Sequence, residues 1–138
     1  MGKTLTGAYR SSLAWLYGFI DYERTARWKY DGDHFSLDRI GRLLDDLDNP
    51  HRVGWHVHVA GTNGKGSVSA MIAKALSEAG YSAGLYTSPH LISFRERIRI
   101  NGRSVSRSDV VEGVERIRDT VSAYSGLTFF EVWTALAF

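Results

Sequence analysis

The run His58-Val59-Ala60-Gly61-Thr62-Asn63-Gly64-Lys65-Gly66-Ser67 constrains this chain more than any other stretch. A β-branched apolar segment enters a glycine-rich loop with one lysine, and a helical pattern follows at once. That order gathers backbone N–H groups, a helix N-terminus and a cation around one small volume, which is what a polyphosphate requires. Gly61, Gly64 and Gly66 carry no Cβ, so the backbone can take positive φ and approach phosphate oxygens closely. Lys65 supplies a compact, mobile ammonium for the β- and γ-phosphates. Ser67 opens the helix, where it can cap the first turn or offer a hydroxyl to Mg²⁺. The whole loop, Gly61-Thr62-Asn63-Gly64-Lys65-Gly66-Ser67, is therefore expected to bind a nucleoside triphosphate.

The strict phosphate-loop pattern G-x-x-x-x-G-K-[ST] is not met, because Val59 occupies its first glycine position and Gly66 directly follows the lysine. The flanks supply what the pattern lacks. Trp55–Ala60 alternates, with Val57 and Val59 on one face and His56 and His58 on the other, and predicts a strand. Val68, Met71, Ile72, Ala75, Leu76 and Ala79 recur at helical spacing from Ser67 onward, and Gly80 is placed as the residue after the helix C-cap. His56 and His58 share a face without a third ligand at metal spacing and are read as structural.

The remaining elements follow from local signals. Ser11–Phe19, with Leu13, Leu16 and Tyr17, predicts a short amphipathic helix, and residues 21–33 a loop. Ser36 caps a predicted helix with Leu37, Ile40, Leu43, Leu44 and Leu47, ended by Asp48-Asn49-Pro50. A second strand is expected over Ala83–Thr87, before Ser88-Pro89-His90. Arg97–Ile100 and Arg103–Val105 flank Asn101-Gly102, a strong two-residue hairpin signal. Ser106 with Asp109, and Thr128 with Glu131, have capping-box spacing at the head of two further helices. The last of these carries Val132, Trp133, Ala135, Leu136 and Phe138. Such an apolar helix needs a sheet to cover, and it predicts that the chain is the N-terminal part of a longer protein.

Composition excludes several classes. At 138 residues and 43% apolar, the chain can build one core of ordinary domain size. A net charge of +2 without a dense basic cluster argues against nucleic-acid or membrane partners. The absence of cysteine removes disulfides, thiol chemistry and Cys-ligated metals. With no long apolar run and no signal-peptide core, a cytoplasmic enzyme is expected.

Four strings, in order, resemble the folylpolyglutamate synthases and dihydrofolate synthases, the folate branch of the Mur-type ligases. They are Gly61-Thr62-Asn63-Gly64-Lys65-Gly66-Ser67; Tyr86-Thr87-Ser88-Pro89-His90-Leu91 with Glu96-Arg97-Ile98; Thr128-Phe129-Phe130-Glu131 with Thr134-Ala135-Leu136-Ala137; and the weaker Phe35-Ser36-Leu37-Asp38-Arg39-Ile40. In the last, Ser36 stands where the family usually has glycine. The glycine after Lys65 separates this branch from the cell-wall Mur ligases, where Ser or Thr follows the lysine directly.

The resemblance implies an α/β fold: a Rossmann-like, three-layer ATPase domain with a mainly parallel sheet, apparently truncated at the C-terminus. Residues 1–138 would be the N-terminal part of the ATP-binding domain, without the glutamate-binding C-terminal domain. It implies an ATP-dependent amide ligase that joins L-glutamate to a folate or dihydropteroate through an acyl phosphate. ATP and Mg²⁺ are required, the substrates are small molecules, and a monomer is expected. Lys65 would serve catalysis. Ser88 would be a Mg²⁺ ligand, against the plainer role of a turn serine before proline. Phe130 matches a position that stacks on the pterin, although periodicity alone favours a core phenylalanine. Phe35 and Ser36 fall in a stretch that helps hold the pterin end. His90 either bonds phosphate or folate, or only fixes its loop. Arg95, Arg97 and Arg99 alternate and are expected on one strand face, where they would attract a glutamate tail or remain solvated.

Overall fold

The computed structural model describes residues 2–19 and 37–138. Phe35 and Ser36, and the loop expected over residues 21–33, lie outside the described residues. The chain divides into two compact units, Met1–Gly54 with Val110–Phe138, and Trp55–Asp109.

The first unit is helical. Helix α1 (Gly2–Tyr17) begins nine residues before the predicted Ser11. Residues 2–10 contain no proline, so none of them lacks the N–H a helix needs. Helix α2 (Leu37–Asp46) buries Leu43 and Leu44. It ends with Asp48 and Asn49 in left-handed conformation, the Asn49 N–H bonding Leu44 O at 2.8 Å and the Asp48 N–H bonding Asp45 O at 3.1 Å. This paired closure satisfies carbonyls that a helix end leaves open. Helix α4 (Arg107–Ser122) buries Val110, Val114, Ile117 and Val121, a 4-3-4 spacing that puts all four on one stripe. Helix α5 (Phe129–Ala137) buries Phe129, Val132, Trp133 and Ala135.

The apolar face of α5 is covered by helices rather than by the expected sheet. α5 packs on α1 and α2, and Tyr17 stacks on Phe129 at 5.9 Å between ring centroids. A Cβ at Gly113 on α4 would meet Leu136 Cδ1 at 2.8 Å, so a larger residue there would push the Leu136 side chain of α5 aside. Trp15 on α1 receives the Arg118 guanidinium of α4 over its ring at 5.0 Å.

The second unit holds helix α3 (Lys65–Glu78) and strands β1 (Gly84–Tyr86), β2 (Ile98–Ile100) and β3 (Arg103–Ser104). Its sheet has the order β1-β2-β3, both pairs antiparallel. The expectation of a mainly parallel sheet is therefore not met among the described residues. The cause is local: Asn101 and Gly102 both take positive φ, 49° and 77°, and fold β2 back on β3 as a two-residue hairpin. The predicted strand Trp55–Ala60 joins no sheet, and Val57 remains 63% exposed. An alternating segment becomes a strand only when a neighbour meets its hydrogen bonds.

Helix α3 closes as predicted. Gly80 has φ 87°, its N–H bonds Ser77 O, and the Tyr81 N–H bonds Leu76 O at 3.0 Å. Its apolar stripe is a different matter. No α3 residue is buried; among the described elements, α3 packs chiefly on the three-residue strand β1. No described helix is long and apolar enough to cross a membrane.

Candidate nucleotide site

The loop before α3 takes the form its glycines predict. Gly61 and Gly64 have φ of 152° and 75°, values that a side chain strongly disfavours. Gly64 is the N-cap, with no side chain bonding the helix end. Ser67 therefore does not cap α3; it is the third residue inside it, because the left-handed Gly64 starts the helix two residues earlier than expected. The first helical bond runs from Val68 N–H to Gly64 O at 2.9 Å. The N–H groups of Lys65, Gly66 and Ser67 precede it and have no helical acceptor. Three bare donors and the positive end of a 14-residue helix form an anion cradle.

Lys65 lies in the first turn of the same helix. Its Nζ donates to Gly61 O at 2.6 Å and Thr62 O at 3.2 Å, so the ammonium is folded across the loop it would serve. Gly61, Thr62, Asn63, Gly64, Lys65, Gly66 and Ser67 are all exposed. Gly66 has helical φ and open space around its absent Cβ, so neither backbone nor packing requires glycine there.

The turn after β1 carries Ser88 and His90. Ser88 is exposed and precedes Pro89 through a cis peptide bond. It lies just past the observed end of β1, as the sequence predicts, but the expected neighbouring strand at Trp55–Ala60 does not form. A short 3₁₀ turn over residues 94–97 braces this segment. The Glu96 carboxylate accepts backbone N–H groups of Ser93 at 2.7 Å, Leu91 at 3.1 Å and Ile92 at 3.3 Å. These bonds, Ser93 foremost, favour the ionised form and hold its pKa below the usual carboxylate value.

Arg97 is 3% exposed, with its guanidinium 5.8 Å from the Phe94 ring centre and its Nε donating to His90 Nδ1 at 3.0 Å. The three arginines thus do not share a strand face. Arg95 and Arg97 belong to the 3₁₀ turn, and only Arg99 lies in β2. Arg95 spends its Nη1 donor on Val105 O at 2.9 Å. The Ser93-x-x-Glu96 spacing is a capping-box signal that could have marked Glu96 in advance. No residue-spacing signal marks the burial of Arg97.

In the helical unit, Phe130 is 46% exposed while its neighbour Phe129 is 1% exposed. The α5 capping box places them: Thr128 Oγ1 accepts the Glu131 N–H at 3.2 Å, and Glu131 Oε2 accepts the Thr128 N–H at 2.8 Å. Glu131 also receives Arg39 Nε at 3.2 Å. Among the described residues no three His, Asp or Glu side chains gather as a metal cluster. A hard cation at Ser88 would thus depend on hydroxyl, phosphate and water oxygens, a donor set that suits Mg²⁺.

No protein-family model matches the chain. Individual proteins do. The dihydrofolate synthase/folylpolyglutamate synthase of Bacillus subtilis is 37% identical over 136 residues, covering 95% of this chain and 30% of its own length. The crystal structure of folylpolyglutamate synthase from Thermotoga maritima superposes with a TM-score of 0.81 at 38% identity, over 96% of this chain and 30% of that one. A folylpolyglutamate synthase solved as a complex with AMPPCP and folate gives a TM-score of 0.78 at 37% identity, over 94% of this chain and 31% of that one. The chain spans about a third of the length of these relatives.

Proposed function

We propose that this chain, which belongs to the N-terminal part of the folylpolyglutamate and dihydrofolate synthase family, binds Mg–ATP at Gly61–Ser67 as part of an ATP-dependent amide ligase acting on folates. The single observation that carries this is the uncapped first turn of α3 with the Lys65 ammonium beside it. On binding, the triphosphate takes the N–H groups of residues 65–67, and Lys65 leaves the Gly61 and Thr62 carbonyls for phosphate oxygens. Ser88 would hold Mg²⁺ through its hydroxyl, and the ion would offset phosphate charge there.

The reaction supported by the family is a two-step condensation. A carboxylate oxygen of dihydropteroate or a folyl-glutamate attacks the γ-phosphorus, and ADP leaves. The amine of L-glutamate then attacks the acyl carbon, phosphate leaves, and an amide remains. Lys65 stabilises charge on the transferring phosphoryl group. Phe130, half exposed at the head of α5, is suited to stack on a flat pterin ring, and the Phe35-Ser36 stretch is assigned to the same end of the substrate.

On this reading residues 1–138 are the first part of a Rossmann-like ATP-binding domain, in a monomeric, cytoplasmic enzyme whose glutamate-binding domain lies beyond them. The Trp55–Ala60 segment would then be a strand of the larger parallel sheet. Calorimetric titration with Mg–AMPPCP tests the nucleotide site, with Lys65→Ala as control. Glutamate-dependent ADP release with a reduced folate tests the ligase. A second reading, nucleotide binding without turnover by these 138 residues alone, is favoured by their covering only 30% of the Bacillus subtilis relative. Mg–AMPPCP binding without ADP release selects it.

A further inference from the structure

Arg39 sits at the unfavourable end of its helix. It is the third residue of α2, in the first turn, where the helix dipole disfavours a cation and favours an anion such as the neighbouring Asp38. What it meets there is Glu131, the third residue of α5. Nε lies 3.2 Å from Oε1 and Nη2 3.4 Å from Oε2, so both carboxylate oxygens are engaged. The pair thus fastens together the starts of two helices.

Glu131 has a second task. Its Oε2 also accepts the Thr128 N–H at 2.8 Å and closes the first turn of α5. Phe130 lies inside that turn, between two anchored neighbours. Phe129 before it is buried and stacks on Tyr17 of α1, and Glu131 after it is held to α2. Phe130 itself is left 46% exposed. The Glu131 side chain is only 12% exposed, so without the guanidinium its charge gains by turning to water, and that movement opens the cap. In sequence, Phe35-Ser36 leads straight into α2, so both stretches assigned to the pterin end of the substrate run into helices that this one pair joins. We propose that Arg39 is a positioning residue for the folate substrate: acting through Glu131, it fixes the first turn of α5 and with it the Phe130 ring on which the flat pterin stacks. Arg39 touches no substrate atom itself. This rests on the reading of Phe130 above, and adds to it the side chain that sets the ring in place.

Steady-state kinetics of the natural enzyme test it, with tetrahydrofolate or dihydropteroate as the varied substrate and glutamate-dependent ADP release as the readout. Phe130→Ala is expected to raise the folate KM about tenfold, the loss of one aromatic stack. Arg39→Met is expected to raise it about fivefold, a large part of that same stack, with kcat and the KM for ATP held within about twofold. Arg39→Lys is expected to restore most of the loss. Arg39→Met added to Phe130→Ala is expected to raise KM no further, because a residue that acts through the ring then has nothing left to position. Effects that multiply in the double variant overturn the proposal, as does an Arg39→Lys no better than Arg39→Met. So does an equal loss in kcat and in both KM values, which marks a purely structural pair. An unchanged folate KM in Arg39→Met, beside a raised one in Phe130→Ala, overturns the proposal alone. An unchanged folate KM in Phe130→Ala overturns the reading of Phe130 and the proposal with it, and absent ADP release from the wild type overturns the ligase reading and both that follow from it. Should Arg39→Met not fold, Glu131→Gln, which keeps the cap acceptor and loses the ion pair, takes its place in the same comparisons.

Discussion

Arg39 reaches Glu131 across 92 positions of sequence, through Nε to Oε1 at 3.2 Å and Nη2 to Oε2 at 3.4 Å. The same carboxylate closes the α5 capping box on Thr128. One side chain thus ties α2 to the start of α5 and sets the first turn that presents Phe130.

The two jobs of Glu131 separate by substitution. Its side chain is only 12% exposed and that of Arg39 27%, so the pair is partly withdrawn from water. Glu131→Gln keeps an acceptor for the Thr128 N–H and removes the charge, at a cost of about 1 kcal/mol. Glu131→Ala removes the cap as well and costs about 2–3 kcal/mol. Urea denaturation of both variants reads the difference.

Phe129 and Phe130 should respond oppositely. Phe129→Ala empties a buried site stacked against Tyr17 and costs about 3–4 kcal/mol. Phe130→Ala lies at a half-exposed position and costs under about 1 kcal/mol. Under the proposed function, it is Phe130→Ala that raises KM for the folate substrate. Thermal melts beside steady-state kinetics separate the two effects.

Lys65→Ala tests the loop. The side chain is exposed and its present partners are backbone carbonyls, so stability should change by less than about 1 kcal/mol. Mg–AMPPCP affinity should fall at least about tenfold. Calorimetry that finds unchanged affinity removes the lysine from the site.

Glu96 predicts a pH effect of defined sign. Its folded pKa is lowered, first by the Ser93 N–H and then by that of Leu91. The stability it contributes is present above its unfolded pKa, near 4.5, and is lost as pH falls through the depressed folded value. Acid should therefore release the 91–93 backbone. Amide hydrogen exchange at Leu91, Ile92 and Ser93 should rise as pH drops below about 4.5, beyond its intrinsic pH dependence, and Glu96→Gln should show raised exchange throughout.

What the sequence made legible was local. Thr128 with Glu131, Ser106 with Asp109, Asn101-Gly102 and Gly80 each encode a turn or cap within four residues, and each is found where expected. The left-handed turns at Gly61 and Gly64 were legible for the same reason. Contacts set by distant partners were not. Nothing near Arg39 announces Glu131, 92 positions away. The alternation of Trp55–Ala60 was a sound strand signal, but a signal about side chains cannot supply the neighbouring backbone. The apolar run of α5 showed that a cover was needed; that helices α1 and α2 provide it is a tertiary fact.

The segment from Trp55 to Ala60 has a practical consequence. It joins no sheet, exposes Val57, and leads directly into the loop that carries Lys65. An exposed, alternating, β-branched stretch of this kind is one on which another strand can pair, including the same stretch of a second molecule. Protein concentration is thus an experimental variable for these 138 residues in its own right. Dilution series should accompany each binding isotherm, because self-association there would occlude the approach to the loop and register as weakened affinity.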